Sequence, residues 1–255
     1  MMESIQWAAL GTGFTFLMTT LGAAMVFFFV GEPNPRFQRV MLGFAAGVMT
    51  AASVWSLLLP AIDQVVEEGR LPGWVPAAGG LLFGVVLLAV LDAWLPRLRR
   101  RQEEQQTEGW RQTALLVTAI TLHNIPEGMA VGLAFALAAQ GEGLAGAAAL
   151  ALGIGIQNFP EGAAVSLPLR QLGQSRGRAF WKGSMSGVVE PIFGILVVLV
   201  AAAAHPLMPW LLSFAAGAML YVVVEELIPQ AQGRSGTWGF VVGFLVMMVL
   251  DVALG

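Results

Sequence analysis

Long apolar stretches follow one another along the whole chain, separated by short polar or proline- and glycine-containing breaks. A membrane-spanning helix needs about 20 predominantly apolar residues. Stretches of about this length or longer occur at about 5–30, 38–61, 74–96, 112–139, 144–168, 180–204, 207–228 and 237–254. The pattern predicts an all-α polytopic membrane protein, with eight transmembrane helices in one domain that covers residues 1–255.

Composition supports a membrane protein and excludes several other classes. Of the 255 residues, 57% are apolar and only 11% are charged, whereas soluble domains carry about 25% charged residues. So few charges cannot coat a soluble protein of this size, which excludes a soluble enzyme and a nucleic-acid-binding protein. The absence of cysteine also excludes disulfides and thiolate metal sites.

The basic residues predict how the helices are oriented. Lysine and arginine number 13, and all but Arg70 fall in the first, third, fifth and seventh predicted loops. Positive residues concentrate in cytoplasmic loops, so the loop at about 97–111 is predicted to be cytoplasmic and both termini extracytoplasmic. The twelve residues are Arg36, Arg39, Arg97, Arg99, Arg100, Arg101, Arg111, Arg170, Arg176, Arg178, Lys182 and Arg234.

Two internal repeats share one symmetry. Residues 44–49 (FAAGVM) match residues 214–219 (FAAGAM), and residues 124–128 (NIPEG) match residues 158–162 (NFPEG). In the predicted topology the members of each pair run in opposite directions. We therefore predict a 3+2+3 inverted repeat, in which spans 1–3 mirror spans 6–8 and spans 4 and 5 mirror each other. Inverted repeats with broken helices are typical of alternating-access transporters that bind substrate near the midplane.

Three acidic residues fall deep inside predicted spans with no basic side chain to pair with: Glu127, Glu161 and Glu190. A carboxylate near the bilayer centre costs about 2.5–3.5 kcal/mol even on the insertion scale. Either these carboxylates stay protonated or a bound cation neutralises them. The residue types next to them in the sequence indicate which of these two explanations applies.

The neighbours of Glu127 favour a metal ion. His123 lies four residues before Glu127 and Asn124 three before, so all three share a helix face. Pro126 is expected to disturb the helix and free backbone oxygens there. Span 5 repeats the pattern with Gln157, Asn158, Pro160 and Glu161, and span 6 adds Glu190. Imidazole, carboxylate and amide donors together suit a divalent transition metal, and the donors suffice for two ions, with Glu127 and Glu161 placed to bridge them.

Two other interpretations were weighed against metal transport. A membrane-embedded metallohydrolase such as a protease needs a His-Glu-x-x-His motif, but the chain has only His123 and His205. A proton-coupled carrier of a non-metal solute could use buried glutamates, although it would gain little from the adjacent histidine and amides. Neither explains the donor set as well as a bound metal does.

The motifs at residues 123–128 (HNIPEG) and 157–162 (QNFPEG) closely resemble the ZIP (Zrt/Irt-like) metal transporters, especially their prokaryotic GufA-type branch. The resemblance covers nearly the whole chain. It implies eight helices in a 3+2+3 repeat, no enzymatic activity and no prosthetic group. By the same resemblance, the protein would form a homodimer in the plasma (inner) membrane. The resemblance also implies transport of zinc, or of cadmium, iron or manganese, into the cytoplasm by alternating access.

The resemblance further implies a binuclear site and a transport pathway. One ion would be held by His123, Glu127, Gln157 and Glu161 with Met49 as a soft ligand, and the other by Asn124, Asn158, Glu127, Glu161 and Glu190. Ser56, Glu225 and Glu226 would line the pathway. Many family members have histidine at the position of Gln157, and the histidine-rich cytoplasmic loop of many members is missing here, since residues 97–111 contain no histidine.

Overall fold

The computed structural model describes residues 2–28, 34–69, 71–100, 108–139, 143–203 and 205–254, where the chain is helical and contains no strand. Some side chains in these ranges, that of His123 among them, lie outside the description. The helices are α1 (Met2–Ala23), α2 (Pro35–Ala52), α3 (Leu59–Glu68), α4 (Trp74–Arg100), α5 (Glu108–Ala138), α6 (Leu144–Gln171), α7 (Arg176–Ser186), α8 (Val189–Ala203), α9 (Met208–Val222), α10 (Ile228–Gln230) and α11 (Arg234–Leu254).

Two helices are interrupted at matching places. A π-helical turn, Ser53–Leu58, joins α2 to α3, and another, Val223–Leu227, joins α9 to α10, 170 residues later. Pro60 and Pro229 follow these turns. Proline has no amide hydrogen, and its ring clashes with the carbonyl four residues earlier, so a wider π turn relieves both problems. The side chains of the two π turns therefore occupy equivalent positions in the two repeats.

The prolines of the two Pro-Glu-Gly motifs behave differently. Helices α5 and α6 continue through Pro126 and Pro160. The polar region has its helix break instead at residues 187–188, where α7 ends and α8 begins just before Glu190. The single predicted span 180–204 is therefore two helical segments.

Within the described part of the chain, six helical segments are long and apolar enough to cross a membrane: Met2–Phe27, Pro35–Glu67, Trp74–Trp94, Arg176–Ala202, Met208–Gln230 and Arg234–Ala253. The apolar part of α5 that meets the same test of composition, Asn124–Ala138, is shorter. Helix α6 has 28 residues, a length of about 42 Å, but it carries Gln157, Asn158 and Glu161. The two remaining helices are thus those that bear the polar motifs.

Close packing of α2 on α11 depends on glycine and has a parallel register. A Cβ atom at Gly43 would meet the backbone of Gly236, and one at Gly47 would meet the backbone of Phe240. The residue numbers rise together, so the two helices run in the same direction. Helices α4 and α9 pack in the same parallel way, through the pairs Gly80–Trp210 and Gly84–Phe214.

The helices that carry the polar motifs form two further parallel pairs. Glycines again allow backbone-to-backbone approach, as small residues do in membrane helix pairs. Helix α1 packs on α6 through Phe14–Gly155 and Thr19–Gly162, and α5 packs on α8 through Gly128–Glu190 and Gly132–Gly194. These contacts bring α1, α5, α6 and α8 together around the buried carboxylates.

Helices α4 and α5 extend beyond the predicted spans into charged sequence. Helix α4 continues to Arg100, and α5 begins at Glu108, whereas the apolar pattern ended one span at 96 and began the next at 112. A span predicted from apolarity stops at the first charges, but charged residues are good helix formers. Residues 101–107 of the predicted cytoplasmic loop lie outside the described residues.

Candidate metal centre

The two Pro-Glu-Gly helices meet through their polar side chains. The Gln157 Nε2 atom on α6 donates a hydrogen bond to Glu127 Oε1 on α5, and both side chains are fully buried. Each motif therefore presents its polar residues to the other helix. Histidine 123 lies in α5 one turn before Glu127, and its side chain is outside the described part of the structure.

Glu190 lies in the first turn of α8 and is held by two neighbouring helices. Asn158 Nδ2 on α6 donates to Glu190 Oε2 at 2.9 Å, and Thr19 Oγ1 on α1 donates to Glu190 Oε1 at 3.2 Å. The side chain is fully buried. The break at residues 187–188 places this carboxylate beside the α6 motif.

The remaining predicted residues of the centre are also buried in this region. Asn124 Nδ2 donates to the Ser186 carbonyl at 3.0 Å, which connects α5 to the end of α7. Glu161 is 5% exposed, and both Glu161 and Glu190 are within electrostatic range of Glu127. Among the described residues no lysine or arginine is buried.

Several oxygen atoms of this cluster point into the protein without a hydrogen-bond donor. Such buried atoms of the described residues include Asn124 Oδ1, Glu127 Oε2, Gln157 Oε1 and Asn158 Oδ1, all from the two motifs. An unsatisfied buried polar atom costs about 1–3 kcal/mol. A group of unpaired acceptors, rather than a mixture of donors and acceptors, is chemically suited to a cation.

Carboxylates alone do not complete the centre. Within the part of the chain whose side chains are described, no three histidine, cysteine or acidic side chains lie close enough together to hold a metal ion. Any ion bound here would therefore need amide oxygens, His123 or other donors in addition to the glutamates.

A cavity of about 540 Å³ reaches Glu161 from one end of the helices. Its wall includes Ala45 of α2 opposite Glu161, and it extends to Asn34 at the start of α2 and Gln171 at the end of α6. Most of its other lining residues are apolar. Ala45 thus lies at the level of Glu161.

Met49 lies deeper along the same face of α2. Its neighbour Val48 places Cγ1 3.6 Å from the Cβ position of Gly153 on α6. Since Ala45 lies near Glu161, the residue numbers of α2 rise as those of α6 fall. Met49, next to Val48, is fully buried where α2 packs against α6.

The predicted pathway residues lie in the two π turns. Ser56 and Glu226 occupy the same position of the two repeats, 170 residues apart, and Glu225 is exposed. Ser56 Oγ donates to Asp251 Oδ1 at 2.7 Å. In the other half of the repeat, Tyr221 Oη donates to Asp92 Oδ2 at 3.2 Å.

Sequence reasoning did not predict the contribution of α1. Thr19 contacts Glu190 directly, and Thr12, Thr15 and Thr19 are fully buried on one helix. Their spacing of three and four residues, inside an otherwise apolar span, places them on one face. That spacing was a usable signal, because buried hydroxyls on one face of a membrane helix indicate a polar neighbour.

Comparison with known proteins was consistent with these features. The family model described as "ZIP Zinc transporter" matches residues 101–251. The chain is 37% identical to human zinc transporter ZIP11, over 99% of this chain and 98% of that protein. It is 37% identical to zinc transporter GufA of Myxococcus xanthus over 93% of this chain and 94% of GufA. The chain belongs to the ZIP family.

Another relative, zinc transporter ZIPB of Bordetella bronchiseptica, is 40% identical over 98% of this chain and 82% of that protein. The GufA and ZIPB matches confirm the GufA-like branch within the ZIP family. These relatives are named as transporters, not as enzymes, which agrees with the prediction of no enzymatic activity. Their similarity extends over nearly the entire chain and thus includes both polar motifs.

Proposed function

We propose that this protein carries divalent transition-metal ions, zinc above all, across the membrane into the cytoplasm through the cluster between α5, α6 and α8. The observation that carries the proposal is the set of four buried oxygen acceptors without donors, from Asn124, Glu127, Gln157 and Asn158. A cation would satisfy these atoms and neutralise the adjacent carboxylates together.

The donor types favour a transition metal over Ca²⁺ or Mg²⁺. Calcium and magnesium are bound by oxygen atoms alone, whereas His123 and Met49 would add an imidazole nitrogen and a thioether sulfur to the carboxylates and amides. Imidazole suits zinc and iron, and thioether is a soft donor. A carrier of a non-metal solute would need hydrogen-bond donors as well, and the four unpaired atoms are all acceptors.

Two adjacent ions would use this ligand set most fully. We assign His123, Gln157 and Met49 to one ion and Asn124, Asn158 and Glu190 to the other, with Glu127 and Glu161 shared. The hydrogen bonds of Gln157 to Glu127 and of Asn158 to Glu190 separate the cluster into two such halves. Cadmium, iron and manganese are further candidate substrates because they accept the same donors.

The packing of the helices supports eight crossings in a 3+2+3 inverted repeat. If α7 and α8 count as one span, the chain crosses the membrane eight times in alternating directions. The two members of each of four pairs then run in the same direction: spans 1 and 5, spans 2 and 8, spans 3 and 7, and spans 4 and 6. The four close pairs α1–α6, α2–α11, α4–α9 and α5–α8 are these pairs, and all four are parallel. The two π turns at matching positions support the same symmetry.

An asymmetry between the repeats supports alternating access. Gln38, Ala164 and Leu167 line the cavity and are partly exposed. Their counterparts in the other half of the repeat, Met208, Ala130 and Leu133, are buried. One side of the cluster is thus open while the equivalent side is packed shut. The open end lies beside Arg36 and Arg170, which the charge pattern places in the cytoplasm, so we assign this structure to an inward-open state.

The remaining proposals concern the setting of this activity. Helices α1, α5, α6, α7 and α8 would move as a block against a scaffold of α2, α3, α4, α9, α10 and α11. Ser56, Glu225 and Glu226, in the π turns of the scaffold, would conduct the ion to and from the cluster. By resemblance to the family, we propose a homodimer in the plasma (inner) membrane.

Uptake by proteoliposomes tests the function. Purified protein should accumulate Zn²⁺ and Cd²⁺, and the assay with and without a pH gradient determines whether protons are coupled. Glu127→Ala and Glu161→Ala should each abolish uptake, because each removes a shared ligand. Glu67→Ala removes an exposed acidic residue far along α3 and should retain the wild-type rate.

The assay separates the proposal from its alternatives. No uptake of any divalent ion by the wild-type protein would refute metal transport. Uptake at the wild-type rate by Glu127→Ala or Glu161→Ala, at equal amounts of folded protein, would refute the shared-ligand centre.

A further inference from the structure

Two methionines occupy the same position in the two scaffold repeats. Met49 ends the segment FAAGVM in α2, and Met219 ends the segment FAAGAM in α9, 170 residues later. Both side chains are fully buried, and each lies four residues before a π turn. The two sulfur atoms are therefore carried by equivalent segments.

The helices they face are equivalent as well. Helix α2 packs on α6, and the proposed site pairs Met49 of α2 with Gln157 of α6. Helix α9 packs on α5 in the corresponding way. The repeat that relates α6 to α5 is 34 residues, so the counterpart of Gln157 is His123. The same symmetry therefore assigns Met219 to the level of His123, on the side of the cluster that is packed shut.

We propose that Met219 is the thioether ligand that faces the transported ion when the site is open to the extracytoplasmic side, as Met49 is proposed to do when the site is open to the cytoplasm. The proposal rests on the proposed function. In an inverted-repeat transporter, the two access states exchange the environments of the two halves. The motion that removes the centre from α2 therefore brings it towards the equivalent segment of α9, and the ion passes from one sulfur atom to the other.

The chemical consequence is selectivity in both access states. A thioether is a soft donor that favours Cd²⁺ and Zn²⁺ over Mn²⁺, which prefers carboxylate, carbonyl and water oxygens. If only one state offered sulfur, soft ions would be held more tightly on one side and released slowly from it. A methionine in each half makes the affinity for soft ions similar on both sides of the membrane.

Two measurements on matched variants test the proposal. Met49→Leu and Met219→Leu preserve apolar volume and remove the sulfur, and Met208→Leu is the control, a buried methionine on α9 about 16 Å from Met219. Initial uptake of Cd²⁺ and Mn²⁺ gives kcat/KM for each ion. The rise in Tm on adding Cd²⁺ to purified protein reports binding in the predominant state.

We expect Met219→Leu to lower kcat/KM for Cd²⁺ by about tenfold, the scale on which lost supporting groups weaken metal sites, with less than about a twofold change for Mn²⁺. Its Cd²⁺-induced rise in Tm should equal that of the wild type, whereas Met49→Leu should diminish both quantities. Met208→Leu should change neither. Equal effects of Met219→Leu on Cd²⁺ and Mn²⁺, or no effect on either, would make Met219 a packing residue and overturn the proposal.

Two other outcomes are also decisive. A smaller rise in Tm for Met219→Leu would place its sulfur at the ion in the predominant state and overturn the exchange between the two methionines. Absence of transport by the wild-type protein would refute the proposed function itself, a result that these variants cannot produce.

Discussion

At the residue scale, Gln157 connects the two motifs. Its Nε2 atom donates to Glu127, and its Oε1 atom is buried without a donor among the described residues. An amide oxygen is a neutral and weak ligand, whereas imidazole is a stronger ligand for zinc. The residue therefore provides a direct test of how ligand strength sets the balance between binding and release.

We predict that Gln157→His lowers KM for Zn²⁺ and lowers the maximal rate with it, while uptake of Mn²⁺ changes less. A second imidazole, four residues before Glu161 on its own helix, should hold Zn²⁺ more tightly and so slow its release. The measurement is the initial uptake rate of Zn²⁺ and Mn²⁺ over a range of concentrations. Gln64→His, in α3, is the control. Equal shifts for both ions would remove Gln157 from the proposed ligands.

The residues of the centre could be selected from the sequence, but their partners could not. A carboxylate inside an apolar span costs free energy and therefore indicates a functional role. Glu127, Glu161 and Glu190 can be selected from the sequence on this ground. Thr19 and Ser186 act through contacts between segments that are distant in sequence. A threonine hydroxyl can also bond to its own helix backbone, so the spacing of the threonines in α1 indicates a polar neighbour but does not identify it as Glu190.

At the element scale, glycines determine how near α8 can come to α5. Gly128 follows Glu127 directly, and a Cβ atom there would meet the backbone of Glu190. Gly128 and Gly132, four residues apart, form a packing seam with α8, since a Cβ atom at either position would meet the α8 backbone. The seam therefore positions a proposed ligand as well as stabilising the pair.

We predict that Gly128→Ala destabilises the protein by about 1–3 kcal/mol, the usual cost of overpacking, and severely reduces Zn²⁺ uptake. The added methyl group must push α8, and Glu190 with it, away from α5. Gly13→Ala is the matched control, since nothing lies within 4 Å of a Cβ at Gly13. Thermal unfolding in detergent measures stability. Unchanged Tm and uptake in Gly128→Ala would show that α5 and α8 accommodate the methyl group without moving apart, which would contradict the prediction.

The bounds of the helices were less predictable than their helical nature. Apolar patterning locates a span but has no information on where the helix ends, so α4 and α5 continue into charged residues. Proline was expected to disturb the helix at Pro126, yet α5 continues through that residue. The helices instead change to π turns elsewhere, before Pro60 and before Pro229. Neighbouring helices compensate for a lost backbone bond in a membrane protein, and their arrangement is not encoded locally.

At the scale of the whole molecule, the chain combines a symmetric sequence with an asymmetric structure. In the proposed inverted repeat, Gln38 and Leu167 line the cavity that reaches Glu161, whereas the residues at the equivalent positions, Met208 and Leu133, are buried. Sequence can predict the symmetry, because the repeats are visible in it. It cannot predict which of two equivalent states is adopted, because both halves are compatible with either.

The proposed orientation of the molecule can be tested by labelling introduced cysteines, because the chain has no native cysteine that would react. Asp63 lies exposed in α3, beyond the π turn of the second span, and Arg176 lies exposed at the start of α7. The concentration of basic residues places Arg176 in the cytoplasm, and one crossing by α2 and α3 places Asp63 outside.

A membrane-impermeant thiol reagent applied to intact cells should therefore label Asp63→Cys and leave Arg176→Cys unlabelled. After permeabilisation both should react, which controls for the reactivity of each thiol, and both variants should still take up Zn²⁺, which controls for folding. Equal labelling of the two sites in intact cells would contradict the alternation of crossings. Labelling of Arg176→Cys alone would invert the orientation, and the cavity that reaches Glu161 would then open to the outside, making this structure the outward-open state.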